Sequence, residues 1–269
     1  MITRRRSLRL SKPTAKSEFP GSPSRRGRTP RRRPGGSHRA VLIAGVATFL
    51  TGLVYPTIVA EAFTGWTLPI SNSYLSEYSA RSMPFSMWFR ILDATAGSLA
   101  VVAAVAFLAV ARNARWSRLH RLYGWLLLAF GAGTICDAIL PLDCAVVQDW
   151  CAEMEFQGRL SIEHDIHVVT SSIATGSAMA CAIAVVVLWW WRPRGPRPSV
   201  VAMVIASASV AANVWFLVAY VVLDQVAGVA QRANVTLFAL LLMVVGFSVA
   251  RNRRAIYSGS SETLRLTVH

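Results

Sequence analysis

Residues 136–171, CDAILPLDCAVVQDWCAEMEFQGRLSIEHDIHVVTS, lie between two long apolar runs of a 269-residue chain. They hold seven of its thirteen acidic side chains: Asp137, Asp143, Asp149, Glu153, Glu155, Glu163 and Asp165. Two of the five histidines, His164 and His167, are here, with Cys144 and Cys151. The chain is 54% apolar, too apolar for an ordinary soluble domain. A chain of this kind that collects its ionisable groups in one connection marks where its chemistry or its partner lies.

Working outward, six apolar runs are visible, at about 40–60, 88–111, 121–142, 167–191, 199–223 and 233–250. Each approaches the ~20 residues a helix needs to cross a bilayer. Backbone groups in lipid must satisfy one another, and helices do so within one segment. The expected class is therefore all-α: a polytopic membrane protein with a six-transmembrane-helix bundle. Small residues crowd the runs, as in Ala94-Thr95-Ala96-Gly97-Ser98 and Ser171-Ser172-Ile173-Ala174-Thr175-Gly176-Ser177, which lets helices approach closely. Ala60-Glu61-Ala62 has the shape of a signal cleavage site, but the run before it is longer than a signal core and is interrupted at Tyr55-Pro56.

Net charge is +15, and thirteen of the 28 basic residues precede residue 40. Loops 112–121 and 192–198 and the tail after 250 carry arginines and no acid before Glu262, whereas 61–87, 143–166 and 224–232 hold most of the acids. The positive-inside rule then places both termini in the cytoplasm of a plasma membrane. The domain reading follows: a disordered Arg/Pro-rich tail over 1–39, a membrane domain over 40–250 and a cytoplasmic tail over 251–269. The first tail is expected to meet anionic lipid headgroups. Nucleic acid is not an expected partner, because Phe19 is the tail's one aromatic residue available for stacking.

The acidic face supplies the candidate residues. Cys144 and Cys151 share an outward loop, where a disulfide is the natural state. His164 and His167 lie three apart and share a helix face. With Asp137 they form a possible zinc set, leaving a position for water. Asp93 is the second intramembrane carboxylate, and each such group needs a partner inside the bundle. The same groups read equally well as a hydrogen-bonded network holding helices in register. In the first loop, Ser76 is a candidate nucleophile or hydroxyl donor and Glu77 a candidate ligand group. The plainer reading makes them caps of a short helix. Asp143 and Arg232 complete the expected ligand-binding set, with Arg232 pairing Asp224 or Glu163, or clamping an anionic headgroup.

Several of these residues together carry a resemblance. Ser76-Glu77, Pro84, Asp137…Pro141-x-Asp143-Cys144…Cys151, His164-x-x-His167-x-x-x-Ser171 and Gln231-Arg232 resemble a bacterial six-helix membrane family, common in actinobacteria, known as domain of unknown function 998. The likeness covers about residues 41–250 and implies the fold, not an activity. A weaker resemblance is to membrane hydrolases that include alkaline ceramidases and progestin-receptor-like proteins. Those hold zinc with three histidines in seven helices, where this chain offers two histidines and six helices.

The leading expectation is an outward polar pocket that binds a lipid-like ligand or a membrane partner without catalysis. The alternatives are a metal-dependent hydrolase of lipid headgroups, using Asp137, His164, His167 and Ser76, and a proton-coupled transporter with Asp93, Asp137 and His167 as relays.

Overall fold

The computed structural model describes residues 36–113, 116–223 and 226–258. Its helices are α1 (Gly36–Val54), α2 (Ile58–Phe63), α3 (Ser86–Asn113), α4 (Arg118–Ile139), α5 (Asp149–Phe156), α6 (Ile162–Trp191), α7 (Val200–Val218), α8 (Ala227–Arg251) and α9 (Arg253–Ser258). A 3₁₀ turn over Leu75–Ser79 sits in the first long connection, and a π turn over Ala219–Leu223 continues α7. Six helical segments are long and apolar enough to cross a membrane: His38–Phe63, Ser86–Arg112, Arg118–Ile139, Ile162–Trp191, Val200–Val222 and Ala227–Arg251. The protein is all-α, and no strand occurs among the described residues.

Local chemistry sets the helix ends. Pro56 lacks an N–H, so the first span breaks after α1 and resumes as the short α2. Ser117, Ser161 and Ser199 cap α4, α6 and α7, each side chain accepting from the backbone N–H three residues on. The Ser161 cap starts α6 earlier than the apolar run predicts, so His164 and His167 stand on its first turns. α8 also starts early, and the polar Gln231, Arg232 and Asn234 lie inside it. α1 begins at Gly36 and α9 continues past residue 250, while the expected tail residues 1–35 and 259–269 lie outside the described residues.

The spanning helices form a closed ring in chain order: α1 packs on α3, α3 on α4, α4 on α6, α6 on α7, α7 on α8, and α8 back on α1. Phe107, Leu127, Phe130, Phe238 and Leu242 fill the interior, while Val105, Trp125, Ile183 and Val204 point outward, as a lipid-facing surface requires. Small residues make the seams. A Cβ on Gly131 would lie 2.7 Å from the Gly97 carbonyl oxygen and 2.9 Å from the Val101 nitrogen. Gly131→Val is therefore expected to force α3 and α4 apart and to cost on the order of 1–3 kcal/mol or more. Gly176→Val is the control, because a Cβ there meets nothing within 4 Å. Thermal unfolding of both variants in detergent checks this, and equal losses would contradict the seam.

Candidate functional site

Between the ends of the helices on the acidic face lies a cavity of about 80 Å³. One water occupies roughly 10–15 Å³ by this measure, so the space takes several waters or a small chemical group. Asp93 on α3 and Asp137 on α4 both line it. Tyr55, just past α1, and Thr134, Thr175, Gln231 and Asn234 from α4, α6 and α8 add polar groups, and no described lysine, arginine or histidine is on the lining. Below it, the rings of Tyr55 and Phe130 meet edge-on at 5.0 Å, and those of Phe130 and Phe238 at 5.1 Å.

The two carboxylates are held differently. Asp137 accepts from the Thr170 hydroxyl and, at 2.8 Å, from the Ser171 hydroxyl, both on α6. Asp93 carries no hydrogen bond or ion pair with any described residue. Ser76 reaches the lining from the 3₁₀ turn, which covers the cavity. That turn is fixed to α8 by the Leu75 N–H, which donates to the Gln231 side chain at 2.8 Å.

Other expected site residues stand elsewhere. Arg232 is 4% exposed and faces Glu61, which is 0% exposed. Its Nε donates to Glu61 at 2.9 Å and its Nη2 to the other carboxylate oxygen. Nη1 serves the carbonyls of Ile70, Ser73 and Gly228, and Nη2 also reaches the Ser73 hydroxyl. Arg232 is therefore not a headgroup clamp. It is fully engaged in tying the first loop to α2 and α8. Its partner is not Glu163, and Asp224 lies outside the described residues. A bidentate guanidinium leaves neither charge unpaired, which is what burial demands.

His164 and His167 do not line the cavity. Both secure the exit of α4. His167 donates from Nδ1 to the Leu140 carbonyl at 2.8 Å, satisfying a helix-end acceptor, and stands 3.9 Å from Asp137. His164 accepts through Nδ1 from the Asp143 N–H at 3.3 Å. Among the described residues no three His, Cys, Asp or Glu side chains come together as metal ligands. The donor set of His164, His167 and Asp137 thus does not fit zinc, and neither His164 nor His167 is on the lining that Ser76 reaches.

Asp143 accepts from the Ser161 N–H at 2.6 Å and from its hydroxyl at 2.9 Å, with Arg81 at 3.3 Å. It serves the α6 cap rather than the cavity. Desolvation opposes its charge, but Ser161 and Arg81 outweigh that, so its carboxyl is held below the usual carboxylate value. The sign follows: this contribution to stability is present above the unfolded value near pH 4 and is lost as pH falls through the lower folded value. Acidification is expected to loosen the 140–161 connection first, and Asp143→Asn to remove that part of the pH dependence. Hydrogen exchange from about pH 5 down to pH 3 is the check; an unchanged acid response in the variant would refute it.

Glu77 is not among the residues on the cavity lining. It accepts from the N–H groups of Tyr74 and Val147 at 3.0 and 2.9 Å, joining the two loops on this face. Burial pushes its carboxyl up, against the pull of those N–H groups. Cys144 and Cys151 form the expected disulfide, with Cα atoms 5.9 Å apart.

The fold and the cavity define a multi-pass membrane protein with a carboxylate-lined recess at one end of a six-helix ring. The chain belongs to the family described as "Protein of unknown function (DUF998)", whose model matches residues 43–248. Neither the curated proteins nor the solved structures contain a match to it.

Proposed function

We propose that the arginine-rich face lies in the cytosol, that the cavity opens outward from a plasma membrane, and that it binds the ammonium group of an amphipathic molecule without a chemical step. The observation that carries this reading is the lining itself: Asp93 and Asp137 face one recess with no cationic side chain among its described lining residues. Two carboxylates at that depth need a positive partner, and a ligand ammonium supplies one. Tyr55 and Phe238 on the lining offer ring faces to a cation, and Gln231 and Asn234 offer amide acceptors. An amphiphile arriving from the bilayer would meet the interfacial residues Phe63 and Trp66, which are exposed beside the first loop.

Neither alternative gains an observation of its own. Among the described residues no three metal donors converge for a hydrolase, and where a transporter needs a polar route the rings of Tyr55, Phe130 and Phe238 meet edge-on beside the cavity. The test is binding of dodecylammonium to nanodisc-embedded protein, with dodecanol as the neutral analogue and empty nanodiscs as background. Saturable binding that needs the charge supports the reading; equal binding of both compounds ends it.

A further inference from the structure

At the opposite end of the ring, a second cavity of about 60 Å³ opens beside the loop that joins α6 to α7. Its walls are mainly apolar, with Phe107, Val185, Leu188, Ala202, Val245 and Val249 on the lining. Tyr123 is 4% exposed and also lines it, yet its buried hydroxyl has no hydrogen-bond partner. Arg197 lines the same cavity, and its Nε is buried and equally unpaired. The guanidinium is held in place over the Trp189 ring at 4.9 Å.

Both donors belong to the lining of this one cavity. His120, one helical turn before Tyr123, hydrogen-bonds the Pro196 carbonyl at 2.8 Å and so fixes the neighbour of Arg197. α4 and α7 both begin at this end, and His120, Ser199 and Ala202 from their first turns line the cavity. Helix N-termini favour negative charge. No acidic side chain is among the described residues of the lining. Buried donors without acceptors are costly, which makes a resident acceptor the natural complement.

We infer that this second cavity binds a carboxylate-bearing single-chain amphiphile of the fatty-acid type. Its oxygens take the Arg197 Nε–H and the Tyr123 hydroxyl, its first carbons lie against the apolar walls, and the rest of its chain runs out through the mouth of the cavity toward the bilayer. This site is separate from the acidic recess and opposite to it in charge preference.

The test uses the full chain in nanodiscs with a diazirine-bearing hexadecanoic acid and its methyl ester, photolysed and mapped by mass spectrometry. The acid is expected to label the lining of this cavity, to be displaced by unlabelled hexadecanoate, and to exceed the ester by about tenfold, as one lost charge-assisted hydrogen bond implies. Arg197→Gln should lower acid labelling by a similar factor, and Ala202→Trp should block it. Equal labelling by acid and ester would overturn the inference and leave water as the partner of Tyr123. Label confined to lipid-facing positions such as Trp125 would overturn it as well. The comparison of acid with ester on the unsubstituted protein decides the matter even if a variant fails to fold.

Discussion

Arg232→Ala is expected to destabilise the protein by about 3–5 kcal/mol, the usual cost of leaving one member of a buried pair alone. The loss has two sources. Glu61 would be left at 0% exposure without its guanidinium partner. The carbonyls of Ile70, Ser73 and Gly228 would lose a shared donor, freeing the first loop from α8. Arg232→Lys should rescue little, because an ammonium is a point charge that cannot reproduce the planar fork spanning these acceptors. Arg81→Ala gives the scale: that pair is half exposed on the arginine side and should matter by less than about 1 kcal/mol. Unfolding midpoints in one detergent, with limited proteolysis across residues 64–74, separate these outcomes. A midpoint for Arg232→Ala equal to that of Arg81→Ala would refute the staple.

Asp93→Asn and Asp137→Asn should weaken ammonium binding together but affect stability apart. Each removes a charge-assisted contact worth about 1.5–3 kcal/mol, or roughly 10–100-fold in affinity. Asp137 also holds Thr170 and Ser171 of α6, so its amide variant should destabilise the α4–α6 seam. Asp93 holds no described group, so Asp93→Asn should leave stability unchanged. The double variant should bind dodecylammonium no better than dodecanol. Binding that survives in both single variants would show that the carboxylates are not the recognition groups.

The six spans were readable because apolar length and arginine segregation are properties of contiguous sequence. The disulfide and the small-residue seams were readable for the same reason. The Glu61–Arg232 pair was not, because its members are 171 residues apart and Glu61 sits in a local pattern with another meaning. His164 and His167 share a helix face as their spacing required, but that face meets Leu140 and Asp143 rather than the cavity. Spacing fixes a face and says nothing about which neighbour the face will find. Asp93, Asp137 and Ser76 line one recess, without the His164, His167 and Arg232 that the sequence reading placed beside them. Tyr55, Thr134, Thr175 and Asn234 were missed, since uncharged side chains from separate segments leave no local signal. Glu77 and Asp143 looked like ligand groups because they are acidic, yet backbone N–H groups of the loops claim them.

The most direct test of the central claim is a titration of the unsubstituted protein with dodecylammonium and dodecanol, read against Asp93→Asn/Asp137→Asn under the same conditions. The carboxylate recess predicts saturable binding of the amine alone, abolished in the double variant. Amine binding of equal strength in the double variant would contradict it.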